Sequence, residues 1–320
     1  MKFIRSVLSQ NETPATDGVY SWSLPINPLS HIVLTFKALN NGANTKATLT
    51  QLLSAVEKIE VLRSGSAVTA LSGADLFALN SILLANLPVM GNVINTDNAV
   101  RYISLILPFG RSTYNPLECY PNTKKGDLTL QLTVDIADTG YDGLITQIET
   151  VELPDAIPTR HLKYTTINKT PTAVAEEEID LPLGNTYAGI MLYSPTVPNG
   201  TSWTTTLSKL KLLLNSTEYG YARTNWESLH GDLGNRIREI SAWSEKIHME
   251  NAAGTYAQNA DTAAEETPAT DLENYAYMDF SPNWEDEYLI NTADASAMKL
   301  VVEFGNTGTS RILPIQLVSV

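Results

Sequence analysis

The chain has 320 residues, room for two domains of about 160 or for one large β domain. It is 43% hydrophobic and only 18% charged, so much of its polar surface must be Thr, Ser and Asn, a mix that favours strands and loops over long surface helices. With 35 acidic against 21 basic residues the net charge is −14, which excludes packaging of nucleic acid by phosphate neutralisation; the nearest things to a basic cluster are Lys124-Lys125 and the Arg236/Arg238 pair.

The first segment, "MKFIRSVL", could be a basic amphipathic arm. Arg5, Ser6 and Ser9 break its apolar residues, so it does not fit a signal peptide. "SLPINPLSHIVLTF" (23–36) is a turn followed by an apolar run, and "KIEVL" (58–62) is a short strand. "SGADLFALNSILLANL" from Ser72 reads as a helix, with Ser72 and Asp75 placed for a capping box. Cys119 excludes an intrachain disulfide, being the single cysteine, and reads as a small buried apolar residue. "RYISLILPF" from Arg101, "LQLTVDIADTG" (130–140) and "LITQIETVEL" (144–153) read as strands, the middle one ending in a hairpin turn. "ELPDAIPTR" (152–160) is a linker stiffened by two prolines.

Beyond the linker the pattern repeats in the same order. "LKYTTIN" from Leu162 pairs with the chain start, and its β-branched residues make both strands, leaving almost no N-terminal arm. "DLPLGNTYAGIMLY" (180–193) matches 23–36 over fourteen positions without a gap, so that Phe36 faces Tyr193. "KLKLL" (209–213) pairs with 58–62, and "TNWESLHGDLGNRIREISAWSEKI" from Thr224 with the helix at Ser72, Thr224 and Glu227 standing for Ser72 and Asp75. "NYAYMDFSP" from Asn274, "MKLVVEFGNTG" (298–308) and "ILPIQLVSV" (312–320) complete the set. The main length change is an acidic, Ala/Thr-rich insertion at 254–274. Short strands every 8–20 residues, with about eight per unit, predict two tandem eight-stranded jelly-roll β-sandwiches, each with one inserted helix, over 1–156 and 157–320.

Little chemistry emerges. His31, His161, His230 and His248 have no zinc-protease spacing, and no nucleophile elbow, phosphate loop or dinucleotide fingerprint is present. His31 reads as structural, and His248 as exposed in or after a helix. The acidic runs "AEEEID" (175–180) and "NWEDEY" (283–288) read as solvated loops, with bound calcium as the functional alternative. Asp135, Asp138 and Asp142 do not match a calcium loop. Trp22, Trp203, Trp226, Trp243 and Trp284 are scattered and default to packing. The four N-x-Ser/Thr sequons at Asn11, Asn168, Asn199 and Asn215 read as chance in a Thr-rich chain. No run approaches the roughly 18 apolar residues of a membrane-spanning helix.

The duplicated pattern is similar to the double jelly-roll major capsid proteins of tailless icosahedral viruses, which include membrane-containing bacteriophages and adenovirus-type hexons. The carriers are the pair 23–36 with 180–193, and "EKIEVLRSGSAVTALSGADLFALN" with "SKLKLLLNSTEYGYARTNWESLHG". The resemblance is architectural, spans nearly the whole chain, and implies a structural, non-enzymatic virion protein without catalytic residues or cofactor. It implies a homotrimer that presents six sandwiches as a pseudo-hexagon, with neighbouring capsomers and minor or vertex capsid proteins as partners. An internal membrane under the shell is compatible with it, and direct sequence-specific binding of the genome is not expected. The insertion at 254–274 would suit an outward loop or tower. Two alternatives remain at this stage. One is a tandem β-sandwich glycan-binding module of the lectin or adhesin class. The other is a double jelly-roll glycoconjugate hydrolase with a carboxylate pair in the cleft between sandwiches.

Overall fold

The computed structural model describes residues 2–13, 17–41, 48–88, 99–137, 139–198, 202–237, 248–250, 256–258 and 272–320. The N-terminal half contains β1 (Ile4–Glu12), β2 (Asp17–Ser23), β3 (Leu29–Asn40), α1 (Leu49–Ser54), β4 (Val56–Arg63), β5 (Ser66–Leu71), α2 (Gly73–Leu83), β6 (Val100–Pro108), β7 (Leu128–Asp135) and β8 (Tyr141–Glu152). The C-terminal half begins with β9 (Arg160–Thr165), β10 (Ile167–Lys169), β11 (Glu176–Asp180), β12 (Thr186–Tyr193), β13 (Leu207–Leu214), β14 (Thr217–Glu218), β15 (Thr224–Asn225) and α3 (Trp226–Arg236). It continues with β16 (His248–Glu250), β17 (Tyr256–Gln258), β18 (Tyr275–Asp279), β19 (Ile290–Asn291), β20 (Met298–Phe304) and β21 (Ser310–Ser319).

Strand order shows the duplication directly. In the first sandwich one sheet runs β1-β8-β3-β6 and the facing strands run β2-β7-β4-β5. In the second, β9-β21-β12-β18 and β11-β20-β13-β14 repeat those orders. The six strand pairs read from the sequence occupy matching places in these sheets, as β1/β9, β3/β12, β4/β13, β6/β18, β7/β20 and β8/β21. The sandwiches are also joined covalently and by a ladder. β5 pairs in parallel with β9, Thr69 opposite Tyr164 and Ala70 opposite Thr165, so one sheet passes from the first sandwich into the second. Thr166 donates its backbone N–H to the Ala70 carbonyl at 2.9 Å and extends the seam.

The helices differ in how they are held. Ser72 caps α2 by accepting the Asp75 N–H at 3.1 Å, but the Asp75 carboxylate does not return to the cap; it binds Arg311 and Tyr275 instead. α2 is buried on every side except at Ala74, as expected for "GADLFALNSIL", which has no polar stripe. The predicted cap Thr224 lies in β15; α3 starts after Asn225, which makes no side-chain cap bond. The sequence reading missed α1, whose signal was present: Thr48 accepts from the Gln51 N–H, and the Gln51 side chain accepts from the Thr48 N–H at 2.8 Å, a complete capping box.

The gapless match at 23–36 and 180–193 is right for the strand and one residue out for the side chains. Phe36 points into its own sandwich with Ile32, Leu34 and Ala38. On β12 the residues facing their own sandwich are Tyr187, Ile190 and Leu192, while Met191 and Tyr193 face the first sandwich. A bulge between Tyr187 and Gly189 shifts the parity, and a one-residue shift moves every side chain to the other face.

Two apolar cores result. One lies within the second sandwich around Trp226, Leu229, Ile190 and Phe304. The other fills the first sandwich and runs on across the seam to Leu162, Tyr164, Met191, Tyr277 and Leu313. The sheet β9-β21-β12-β18 is thus buried on both faces, and its strands read as near-continuous apolar runs. The insertion at 254–274 lies outside the described residues except for Tyr256–Gln258 of β17 and 272–274; β17 pairs with β16.

Candidate functional site

The part of the molecule built with most polar precision is the seam between the sandwiches, and the face left open is its counterpart on the first sandwich. Both follow from the chain crossing at 153–159. Leu153 and Ala156 pack with Cys119, and the linker returns to the loop after β6 through Thr159 N–H to the Leu117 carbonyl at 3.0 Å. Cys119 is the buried apolar residue expected, its thiol raised to about 11 by burial.

Two charged groups rivet this seam. Arg111 and Glu118, with side chains only 6% and 4% exposed, pair at 2.5 Å. Arg160 of the linker end reaches Glu118 at 2.6 Å, and both arginines hold Asp286 of the second sandwich, at 2.7 and 2.8 Å. Burial alone would raise the Glu118 carboxyl; the hydrogen bonds and charge of Arg111, with the charge of Arg160, outweigh it and hold the group below its ordinary value. Asp286 is held low in the same way by Arg160 and Arg111 against a desolvation cost. This is a carboxylate pair at the cleft between sandwiches, the feature the hydrolase alternative required. A general acid needs a carboxyl that keeps its proton near neutrality. Both groups here are pushed the opposite way and both are occupied by arginine, so the cluster is a charge-balanced rivet.

The second rivet joins α2 to the far sheet. Asp75 is buried, accepts Arg311 Nε at 2.9 and 3.1 Å, and accepts the Tyr275 hydroxyl at 2.9 Å. Arg311 Nη2 donates to that hydroxyl at 2.9 Å, and the guanidinium lies 3.5 Å from the centroid of the Tyr193 ring. Burial, and then the Asp75 charge, push the Tyr275 phenol well above its ordinary value.

The outer face of β1-β8-β3-β6 is not covered in this way. Cross-strand rows there read Val7-Glu149-Val33-Ile106, then Gln147-Thr35-Ser104, then Ile145-Lys37-Tyr102. Val7, Val100 and Tyr102 are exposed, and Phe3 stacks edge-on against Tyr114 at 5.6 Å beside them. A cavity of about 540 Å³ opens on this face between Val33, Ile106, Tyr114 and Leu87. The edge of β6 is capped at Ile106: the Asn80 side chain accepts the Ile106 N–H at 2.7 Å and donates to its carbonyl at 2.5 Å, as a neighbouring strand would. The face beside that edge stays open in the single chain.

The residues singled out by sequence are dispersed. His31 is buried and bonded to Ser30 at 2.9 Å; His161 is buried edge-on to Tyr120 at 4.8 Å; His230 meets the Tyr275 carbonyl at 2.7 Å; His248 begins a strand and not a helix end. The run 175–180, read as a loop, is the edge strand β11, where Glu177 pairs with Lys169 and Glu178 with Lys299 at 2.6 Å. The run 283–288 does leave the strands, and Asp286 in it serves the first rivet. Among the described residues no group of three or more His, Cys, Asp or Glu is placed to hold a metal ion; Asp138 lies outside them. Trp226 is core, Trp284 stacks on Arg236 at 4.2 Å, Trp22 donates to Glu12 at 3.1 Å, Trp203 is exposed, and Trp243 lies outside the described residues. Those placed share no stacking platform. Of the rivet residues, Asp75 stood out only as a cap partner and Asp286 only within an acidic run; their pairing with arginine carries no local signal, Asp75 and Arg311 standing 236 positions apart.

No protein-family model matches the chain, and no curated protein matches it. Solved structures do. The atomic structure of Sulfolobus turreted icosahedral virus contains a chain that matches with a TM-score of 0.68 at 12% identity, over 100% of this chain and 91% of that one. The major capsid protein P2 of bacteriophage PM2 matches at 0.62 and 11% identity, over 99% and 98%. A chain of the PBCV-1 virus capsid matches at 0.58 and 10% identity, over 99% and 94%. Taken with the repeated strand order, this likeness identifies the fold of the whole chain as a double jelly roll.

Proposed function

We propose that this protein is a major capsid protein, a structural and non-catalytic subunit of an icosahedral virus shell. The observation that carries the reading is the complete duplication of the sheet order within one rigidly seamed chain, a fold it has in common with the virus capsid proteins above. In this reading the units run over 1–156 and 157–320, and three chains close into a homotrimer whose six sandwiches approximate a hexagon. Such capsomers tile a shell together with minor and vertex proteins, and the protein resides in the virion. An internal membrane beneath the shell is compatible with a charge of −14, which keeps the chain from neutralising genome phosphates itself. Obligate contacts of this kind bury above roughly 2,000 Å². The test is sedimentation of the purified protein with electron microscopy of the native particle. A species near three times 35.0 kDa and hexagonal capsomers are expected; a monomer at every concentration, with no particle in the source, overturns the reading.

A further inference from the structure

The two sandwiches leave different surfaces exposed. Inside the chain, the outer face of β9-β21-β12-β18 lies against the α2 side of the first sandwich. Its polar row is Arg311-Tyr193-Tyr275, and that row is anchored by Asp75 in the first turn of α2. The matching sheet of the first sandwich carries the matching row, Ile145-Lys37-Tyr102, on its open face. Tyr102 and Tyr275 hold the same place on β6 and β18. Tyr275 is 1% exposed, and Tyr102 is 39% exposed. Each row carries one cation, Arg311 on β21 in one and Lys37 on the middle strand β3 in the other, with a tyrosine at its β6 or β18 end. The counterpart of α2 is α3, and its first turn offers an exposed carboxylate, Glu227, where α2 offers Asp75. Asp232 is exposed further along α3. So one chain presents an open sheet face with a cation and a tyrosine, and elsewhere an open helix side with carboxylates.

We propose that the outer face of β1-β8-β3-β6 docks on the α3 side of the C-terminal sandwich of a second copy of this chain, with Lys37 and Tyr102 meeting Glu227 as Arg311 and Tyr275 meet Asp75. The proposal rests on the homotrimer reading and gives it residues. The contact is head-to-tail, so its two patches are different surfaces and a ring forms if the rotation closes. The sealed β6 edge at Ile106 favours face packing over strand addition. Lys37, bonded to Asn11 at 2.9 Å in the single chain, is accessible enough to turn to a new partner.

The experiment is sedimentation velocity on the full chain and its charge variants. Lys37→Glu or Glu227→Lys should raise the concentration at which trimers dissociate by roughly tenfold or more, because like charges then face each other in each contact. The double exchange K37E/E227K should restore trimers. Far-ultraviolet circular dichroism and melting separate loss of assembly from loss of fold. A second measurement uses Tyr102→Cys with Glu227→Cys: oxidation should give covalent dimers and trimers from the pair and none from either single variant, since Cys119 is buried. Trimers that survive both charge reversals, with no cross-link from the cysteine pair, overturn this interface and leave the homotrimer standing. Monomers from the parent chain at all concentrations overturn the homotrimer and this contact together.

Discussion

Acidification from pH 7 to pH 5 should weaken the fold through two buried histidines. His31 and His161 are 4% and 7% exposed. Burial comes first, then neighbouring cations: Arg5 for His31, and Arg63 and Lys163 for His161. Together they lower each imidazole from 6.5 to about 4. Both are therefore neutral in the folded chain at pH 7. In the unfolded chain each recovers its ordinary value and takes up a proton first as the pH falls, so the unfolded state binds more protons. Stability is complete above about 6.5 and is lost progressively down to about 4, where the loss levels off. Integrating that linkage from pH 7 to pH 5 gives about 2 kcal/mol per histidine, or about 4 kcal/mol for the pair. At roughly 2.1 cal/mol/K of unfolding entropy per residue, the melting temperature should drop by about 6 °C. Glu118 and Asp286 are also held low, but their unfolded reference values of 4.5 and 3.8 place their contribution at lower pH. The window from 6.5 to 4.5 thus belongs to the histidines. His31→Asn keeps an acceptor for Ser30, and His161→Phe keeps a ring against Tyr120 while removing an Nδ1 that has no partner. Urea unfolding followed by tryptophan fluorescence at half-unit pH steps measures the slope. Most of it should vanish in the double variant. An unchanged slope there, or a parental change below about 1 kcal/mol between pH 7 and 5, refutes the reasoning.

Three other outcomes follow from the packing. Asp75→Ala strands Arg311 against a buried surface and should cost about 3–5 kcal/mol by denaturant titration, and adding Arg311→Leu should cost less than the sum of the single changes. Gly110→Ala places a Cβ against the Glu118 carbonyl oxygen, a backbone atom that cannot yield, and should cost about 1–3 kcal/mol or more. Gly143→Ala meets only Leu39 Cδ1 at 3.7 Å and, measured the same way, should stay within about 0.5 kcal/mol of the parent.

Strand order was legible because duplication supplies an internal control. A short apolar run such as "KIEVL" fits a strand or a buried helix turn, but its partner "KLKLL" in the same sequence position narrows it to β4 and β13. The same comparison made the chain start a strand, and β1 pairs along β8 as that requires. What stayed hidden was contact between distant positions. Capping chemistry predicted that Asp75 would fold back on its helix, a local bond within three residues; the buried Arg311 and Tyr275 compete for the same oxygens and win. Charge-assisted bonds in a dry seam outweigh a partly solvated cap, and nothing near Asp75 in the sequence announces the arginine.

The parity error at Phe36 and Tyr193 has the same origin. β3 alternates buried and half-buried residues because one face looks outward, so its register could be read from pattern alone. β12 is buried at Tyr187 through Leu192 on both faces, and a strand with two apolar faces carries no alternation to align. The missing alternation in β12 is therefore itself a signal: this sheet has a permanent partner on its outer side, and that partner is the first sandwich. By the same logic, the intermediate pattern of β6, with Val100 and Tyr102 apolar yet exposed, is what a face covered only after assembly should look like. The contrast between Tyr275 and Tyr102, one place on the fold with two exposures, separates the interface made within the chain from the one proposed for another copy.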